Sequence, residues 1–432
     1  MSLPVRQVLR TPFSLVLFLF TLVCGLAIPV RSFSQTVETA TPEGKIVRIE
    51  VSGLRRTQNS VVQALLRSYR GEPVSRLDPN SVAARLLETG IFEDIQVGLR
   101  PDQEDGDYTL AVSVREKWTI IPVPIFSASS DGITAGAALI DANAFGLNQK
   151  IFALGLWIPE GWLSGLAYST GSDTSNKISY SGSFFYSRQE RKLVDPEDRD
   201  LSRFSADDLS AEIGLGILLA GPLRLSASLG FRDLSLSDSA LNPNPSFPQA
   251  ESGRYLNLKT GLSARSSRWD GVFLSENTAT FRYAYHGALQ GQTYQDVVLG
   301  FQAQVVPLPG LRLGLRGTQL YGFDVPLALE SPAAETGASI LPSNYRASIV
   351  TFGGLNAEGR LFSLRWGVIS ALLGYQVALS QGLLTEVRWD QGPTAGLRLY
   401  VARLAIPAMD MGVAYNLSTG LFRATFGVGM RM

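Results

Sequence analysis

The chain of 432 residues contains one cysteine and one histidine. Cys24 falls in the first 34 residues, which carry the pattern of a removable segment, so the remainder has no thiol. That excludes disulfides, cysteine-ligated zinc and a cysteine nucleophile. A lone His286 argues against a histidine-rich metal site and against a Ser-His-Asp triad. Charge is sparse as well: 18% of residues are Asp, Glu, Lys or Arg, against about a quarter in an ordinary soluble chain. The 38 cations balance 38 anions, which leaves no footprint for nucleic acid. No glycine-rich turn is followed by the Lys and Ser/Thr of a phosphate loop. The expectation is therefore no cofactor, no bound metal, no nucleic acid and no enzyme. Beyond residue 35, apolar runs are short and broken by Gly, Ser or Arg, so no membrane-spanning helix is expected. The chain either works in solution after export or crosses a membrane as strands, because only helices and closed barrels satisfy the backbone in lipid.

What is present begins with an export pattern. Arg6 and Arg10 precede Phe13–Val30, an uncharged run of 18 residues, and Ser32-Phe33-Ser34 follows with small residues at alternate positions. This layout predicts a cleaved signal peptide over 1–34. An uncleaved anchor is the alternative, since 18 apolar residues nearly span a bilayer.

Residues 46–117 read as a small α/β domain. Lys45–Val51 alternates apolar and polar as a strand does. Gln58–Ser68 carries Val61, Val62, Leu65 and Leu66 at helical spacing, with Thr57 placed to cap it. Asp78 caps a second helix through Val82, Leu86 and Leu87, which Thr89-Gly90 ends. Phe92–Leu99 and Tyr108–Val114 are two more strands, joined by the polar turn Asp102–Asp107. The order is β-α-α-β-β. Three motifs, V-S-G-L-R-R-T, L-L-E-T-G-I-F-E-D-I and V-S-V-R-E, resemble those of a polypeptide-transport-associated (POTRA) domain. The matching positions are Gly53, Gly90, Phe92 and Glu116. The resemblance implies that the helix stops at Gly90, that Phe92 anchors the next strand, and that Glu116 closes the domain. Another small fold of the same element order is the alternative.

From Trp118 onward helical periodicity gives way to alternating segments of about ten residues separated by turns, the pattern of a transmembrane β-barrel. Examples are Gly132–Asp141, Lys177–Ser187, Leu209–Leu218, Leu223–Leu236, Glu276–Gly287, Val297–Val306, Leu311–Phe323 and Gly396–Ala405. In Leu223–Phe231 the odd positions are apolar and Arg224, Ser226 and Ser228 lie on the other face. Tight turns are expected at Gly221-Pro222, Pro309-Gly310 and Gln381-Gly382, with long polar loops at Gln189–Asp208, Ser237–Gly253 and Pro326–Ser348. Asp195-Pro196-Glu197-Asp198 reads as a solvated acidic stretch, and His286 as a lumenal or interfacial side chain. The predicted fold is mainly β: a transmembrane barrel of about sixteen antiparallel strands over 118–432, behind the small βααββ domain.

The pattern Asp141-x-Asn143-x-x-Gly146 is similar to the first barrel hairpin of the BamA/TamA-like surface-antigen superfamily. Together with the POTRA-like domain, the resemblance covers nearly all of 46–432. It departs from the family in two places. An Arg-Gly-aromatic motif in the longest loop is matched only by Tyr345-Arg346-Ala347, where Arg346 is expected to pair with a lumenal carboxylate. The last strand, with Phe422 and Phe426 on one face, ends in Met432 and not in an aromatic residue.

The resemblance implies an outer-membrane protein with its N-terminal domain in the periplasm. It implies an assembly or translocation role, in which an extended client adds its strand to the POTRA-like domain. The barrel then opens at a seam near 131–141 and 421–432. The implied partners are outer-membrane lipid, unfolded or nascent client proteins and periplasmic accessory proteins. A channel or structural barrel with a periplasmic docking domain is the alternative, and an enzyme barrel using His286 a third reading.

Overall fold

The computed structural model describes residues 44–87, 89–102, 106–129, 132–170, 177–237, 250–269, 273–365, 367–401 and 407–428. The expected signal segment and Met432 lie outside the described residues.

The N-terminal module follows the expected order: β1 (Ile46–Ser52), α1 (Asn59–Leu66), α2 (Pro79–Leu87), β2 (Phe92–Pro101) and β3 (Tyr108–Glu116). β3 is central, parallel to β1 and antiparallel to β2. Ile46, Ile49, Leu110, Val112 and Val114 turn one sheet face to the helices, which return Val62, Leu65, Leu66, Val82 and Leu86. The Asp78 carboxylate accepts the Asn80 N–H at 2.9 Å and so caps α2. After that helix Gly90 adopts φ +76°, the left-handed turn that a helix end favours. Ile91 and Phe92 then enter the core with no exposed surface. Thr57 does not cap α1, because its hydroxyl is engaged by the barrel.

Sixteen strands close into a barrel. The first half comprises β4 (Ile120–Ser129), β5 (Gly132–Ala144), β6 (Gln149–Ile158), β7 (Gly161–Thr170), β8 (Ile178–Val194), β9 (Asp200–Ala220), β10 (Leu223–Ser237) and β11 (Gly253–Trp269). The second comprises β12 (Leu274–Gln290), β13 (Tyr294–Leu308), β14 (Leu311–Phe323), β17 (Ile349–Leu364), β18 (Gly367–Gln381), β19 (Arg388–Val401), β20 (Pro407–Tyr415) and β21 (Phe422–Val428). Two short segments, β15 (Ser331–Pro332) and β16 (Arg346–Ala347), pair within the long loop. Alternation sorts the wall. Leu225, Leu229, Ile213, Leu256 and Leu258 are exposed outside, as a lipid-facing belt requires.

Inside, charges pair from strand to strand. Asp208 takes Arg191 and Arg232, Glu212 takes Lys259, and Asp296 takes Arg282 and His286. Glu358, with no exposed surface, takes Arg312 and Arg398. The inner face of β4–β8 is different. There Val123, Ile125, Ala138, Phe152, Leu154 and Leu156 form an apolar cluster, and Leu163 and Phe185 border it on the lumen.

Three expectations are corrected. The first barrel strand is Ile120–Ser129, so the motif at Asp141–Gly146 lies at the end of the second strand and in the turn after it. Pro122 and Pro124 hide that first strand from pattern reading, since proline is tolerated only at a sheet edge. Gln189–Asp208 is no loop: β8 and β9 stay paired out to Val194 and Asp200, beyond the height of their neighbours. Gln381-Gly382 is not a tight turn at the module end. It opens a longer connection at the opposite end, where the Gly382 N–H bonds the Thr385 hydroxyl.

Candidate functional site

Three motifs far apart in sequence meet where the module joins the barrel. Gly53 ends β1 at φ +88°, and a Cβ there would stand 1.9 Å from the Val114 carbonyl oxygen. The chain then runs through Arg55, Arg56 and Thr57, whose backbone N–H groups donate to the Glu116 carboxylate at 3.0, 2.9 and 2.8 Å. Burial alone would raise the Glu116 pKa, but these bonds outweigh it and hold the carboxyl below its ordinary value.

The clamped turn presents its other side to the barrel. The Arg56 guanidinium donates to both Asp141 oxygens, at 3.1 and 2.5 Å, and to the Thr119 hydroxyl at 2.8 Å. The Asn143 amide donates to the Thr57 hydroxyl at 2.9 Å, while its oxygen accepts the Asn148 N–H at 2.8 Å. The Gly146 carbonyl accepts the Gln58 N–H at 2.8 Å. A Cβ on Gly146 would lie 2.2 Å from the Arg56 carbonyl oxygen, at φ +71°. Gly53, Glu116, Asp141, Asn143 and Gly146 thus build one joint. Gly90 and Phe92 do not reach it and serve the module core.

Among the described residues the barrel closes between β4 and β21 through four residue pairs, Thr425–Ser129 to Val428–Phe126. The seam is therefore at 120–129 and 422–428, not at 131–141. The Phe426 and Phe126 rings meet edge to face across it at 6.3 Å. Phe422 stands exposed at the start of β21.

The end of the barrel remote from the module is covered by the 324–348 loop. Tyr345 has no exposed surface and donates its hydroxyl to Ser380 at 2.9 Å. Arg346 does not reach a carboxylate of the wall. It donates to the Glu330 carbonyl at 2.6 Å and so braces its own loop. The wall holds that loop through Arg191, which donates to the Ala328 carbonyl at 3.0 Å, and Arg316, which donates to the Gly337 carbonyl at 2.9 Å. The acidic stretch at 195–198 is no free solvated face. Asp195 accepts the Glu197 and Arg199 N–H groups, and Glu197 pairs with Arg388 at the start of β19, across the barrel.

Below this cover lies a cavity of about 450 Å³, bordered by Leu163, Phe185, Asp208, Glu212, Lys259 and His286. His286 stacks on Tyr294 at 4.0 Å, and its two ring nitrogens face Asn257 at 2.7 Å and Asp296 at 2.8 Å. Neither nitrogen is directed at a serine.

Sequence reasoning passed over Arg56, Thr57 and Phe126 as functional positions. Arg56 and Thr57 sit inside the quoted V-S-G-L-R-R-T motif, so the signal was in view, but their partners lie 85 and 86 residues away.

Solved structures share this architecture. BamA from Haemophilus ducreyi lacking POTRA domains 1–3 aligns with a TM-score of 0.62 at 14% identity, over 90% of this chain and 85% of that one. CdiB from Acinetobacter baumannii aligns at 0.63 and 11% identity, over 90% and 74% of the two chains. CdiB from Escherichia coli aligns at 0.64 and 13% identity, over 90% and 77%. No family model and no curated protein matches the sequence. The chain has the fold of the BamA and CdiB barrels.

Proposed function

We propose that this protein sits in a bacterial-type outer membrane with its module in the periplasm, and aids insertion or export of client proteins through the barrel seam. The observation that carries the reading is that the sixteen-strand wall closes on its first and last strands, β4 and β21, which no turn joins, through four residue pairs among the described residues, whereas β8 and β9 pair along all of β8. Few ladder bonds make an edge that separates at low cost.

The module supports the same reading. The outer edge of β1 is occupied: the carbonyls of Ile46, Val47 and Ile49 accept the Gly71 N–H at 2.8 Å, Arg70 Nε at 3.1 Å and Gln63 Nε2 at 3.0 Å. That leaves β2 as the edge to which an extended client segment adds its backbone. The joint at Arg56–Asp141 then holds this dock against the turn after β5, beside the seam strand β4. The work proposed is the capture and release of chain, without bond chemistry.

The test is a locked seam. Ser127 and Gly427 are directly opposite across β4 and β21, within the spacing a disulfide spans. Cysteines at both positions, with Cys24→Ser, are oxidised in cells and the outer-membrane protein profile is compared before and after reduction. Reversible loss of particular outer-membrane proteins supports the proposal. A fully locked seam with an unchanged profile overturns it and favours a channel or scaffold.

A further inference from the structure

Glu330 lies in the 324–348 loop that covers the end of the barrel remote from the module, and only 2% of it is exposed. Its carboxylate Oε1 accepts the Leu383 N–H at 2.8 Å, which ties the loop to the connection between β18 and β19. Gly382 lets the two segments approach. A Cβ there would stand 2.9 Å from the Arg346 carbonyl oxygen and 3.3 Å from Glu330 Oε1.

This tether has no counter-ion. Among the described residues no cation forms an ion pair with the Glu330 carboxylate. Arg346 faces it from the loop's return limb, but bonds the Glu330 backbone carbonyl at 2.6 Å. A carboxyl shut away from water without an ion partner favours its protonated form. Burial pushes the Glu330 carboxyl up to about 7, although the Leu383 N–H, the Arg346 charge and Ser348 pull the other way.

The remaining groups around it are few. Tyr345, on the return limb, feels both Glu330 and Asp390 of β19. Arg191 and Arg232 of the wall act on Arg346 and not on Glu330. Glu335, on the same loop, faces Arg346, Arg232 and Arg191 instead. On the β18–β19 connection Glu386 is exposed, and Arg388 is taken by Glu197 and Asp390.

We propose that Glu330 is a proton-operated latch: protonated, it holds the 324–348 loop on the β18–β19 connection, and ionised, it lets the loop lift from the cavity beneath. Once the loop has lifted, the carboxyl meets water and returns to its ordinary value of 4.5. The closed form therefore binds the extra proton between the two values. Closure is fully supported below about pH 4.5 and that support is lost as pH rises through about 7. The inference concerns the cover and does not depend on the seam.

The experiment uses the full chain carrying Cys24→Ser, reconstituted in phosphatidylethanolamine–phosphatidylglycerol vesicles. Spin labels are placed by Asn344→Cys in the loop and by Leu289→Cys at the outer end of β12. Label-to-label distances are measured by pulsed electron resonance on samples frozen between about pH 5 and about pH 8.5. Heat-modifiable migration on gels reports that each variant is folded. The expected result is one short distance in acid and a longer population that grows several-fold through neutrality. Glu330→Gln, a neutral side chain of the same shape, should keep the short distance at every pH. Glu335→Gln, and His286→Gln in the cavity wall below the loop, should keep the pH response. A distance that does not change with pH in the chain with Glu330 intact overturns the proposal, whether or not the Gln variant folds. A response that persists in folded Glu330→Gln, or that disappears in His286→Gln or Glu335→Gln, assigns the switch to another group and overturns it as well.

Discussion

Asn143 on the barrel turn donates its side-chain N–H to the Thr57 hydroxyl of the module at 2.9 Å, and only 1% of Asn143 is exposed. A single amide thus serves two masters, since its oxygen also fixes the turn through the Asn148 N–H. This contact is buried, where a missing partner is costly, while the Arg56–Asp141 pair beside it is reached by water.

Asn143→Ala leaves the Asn148 N–H and the Thr57 hydroxyl without this partner. A buried polar group deprived of its bond costs about 1–3 kcal/mol. The expected outcome is faster proteolytic release of the module from a barrel that keeps its heat-modifiable mobility. Limited proteolysis of the wild type and the variant, followed over time, measures it. Release at the wild-type rate would contradict the joint as described.

Glu116 gives the joint a pH dependence. Its carboxyl is held below the ordinary value of 4.5 in the folded state. The stabilisation is therefore fully present above about pH 4.5 and is lost as pH falls through the lower folded value. The loop at 53–57 should become more accessible to hydrogen exchange in that acidic window. Glu116→Gln should show the looser exchange already at neutral pH, with a flatter pH profile.

Glu358 has no exposed surface and accepts from Arg312, Arg398, Ser370 and Tyr400. Glu358→Ala takes this carboxylate from Arg312 and leaves Arg398 with Asp410 at 2.9 Å. Removing one member of a buried ionic cluster costs about 3–5 kcal/mol. The temperature at which the barrel loses its folded gel mobility should drop clearly. An unchanged transition would mean that water satisfies Arg312 and that Asp410 suffices for Arg398.

Phe426→Ala removes the ring that meets Phe126 across the seam. An aromatic pair contributes about 0.5–1.5 kcal/mol beyond its area. The variant should open more often, read as faster modification by a thiol reagent of a cysteine placed at Ser127. The same cysteine in the Phe422→Ala background should be unaffected, because Phe422 stands clear of the four paired positions.

Much of this architecture is legible without coordinates, for local reasons. Alternation along Leu223–Phe231 is set by the strand itself, and the stop at Gly90 by a helix that needs a left-handed residue after it. The glycine-marked motifs also pointed to the right positions at Gly53 and Gly146. What they touch was not legible, because each lies against a chain segment more than fifty residues away. β4 was missed because two prolines in one strand contradict strand propensity unless the edge is already known. The outer part of β8 and β9 reads as loop because its side chains are mostly polar, and the few apolar ones, Leu193, Phe204 and Ala206, pack against the long loop. The Arg312–Glu358–Arg398 cluster joins residues 46 and 40 apart on nearby strands of the wall, and no spacing rule fixes the register that brings them together.

The four successive strands on the β4 side of the seam share one feature that bears on movement. β4 and β7 contain no charged residue, and β5 and β6 have one each, Asp141 and Lys150, both at the module end. Their inner face is as oily as their outer one. Such a panel can turn either face to hydrocarbon without dragging an ion from water, whereas β9 to β12 would carry Asp208, Glu212, Lys259 and Arg282 with them. β19 to β21 on the far side of the seam would likewise carry Arg398, Asp410 and Arg423. The wall thus has one leaf nearly without ions and a frame whose charges hold it to the aqueous interior.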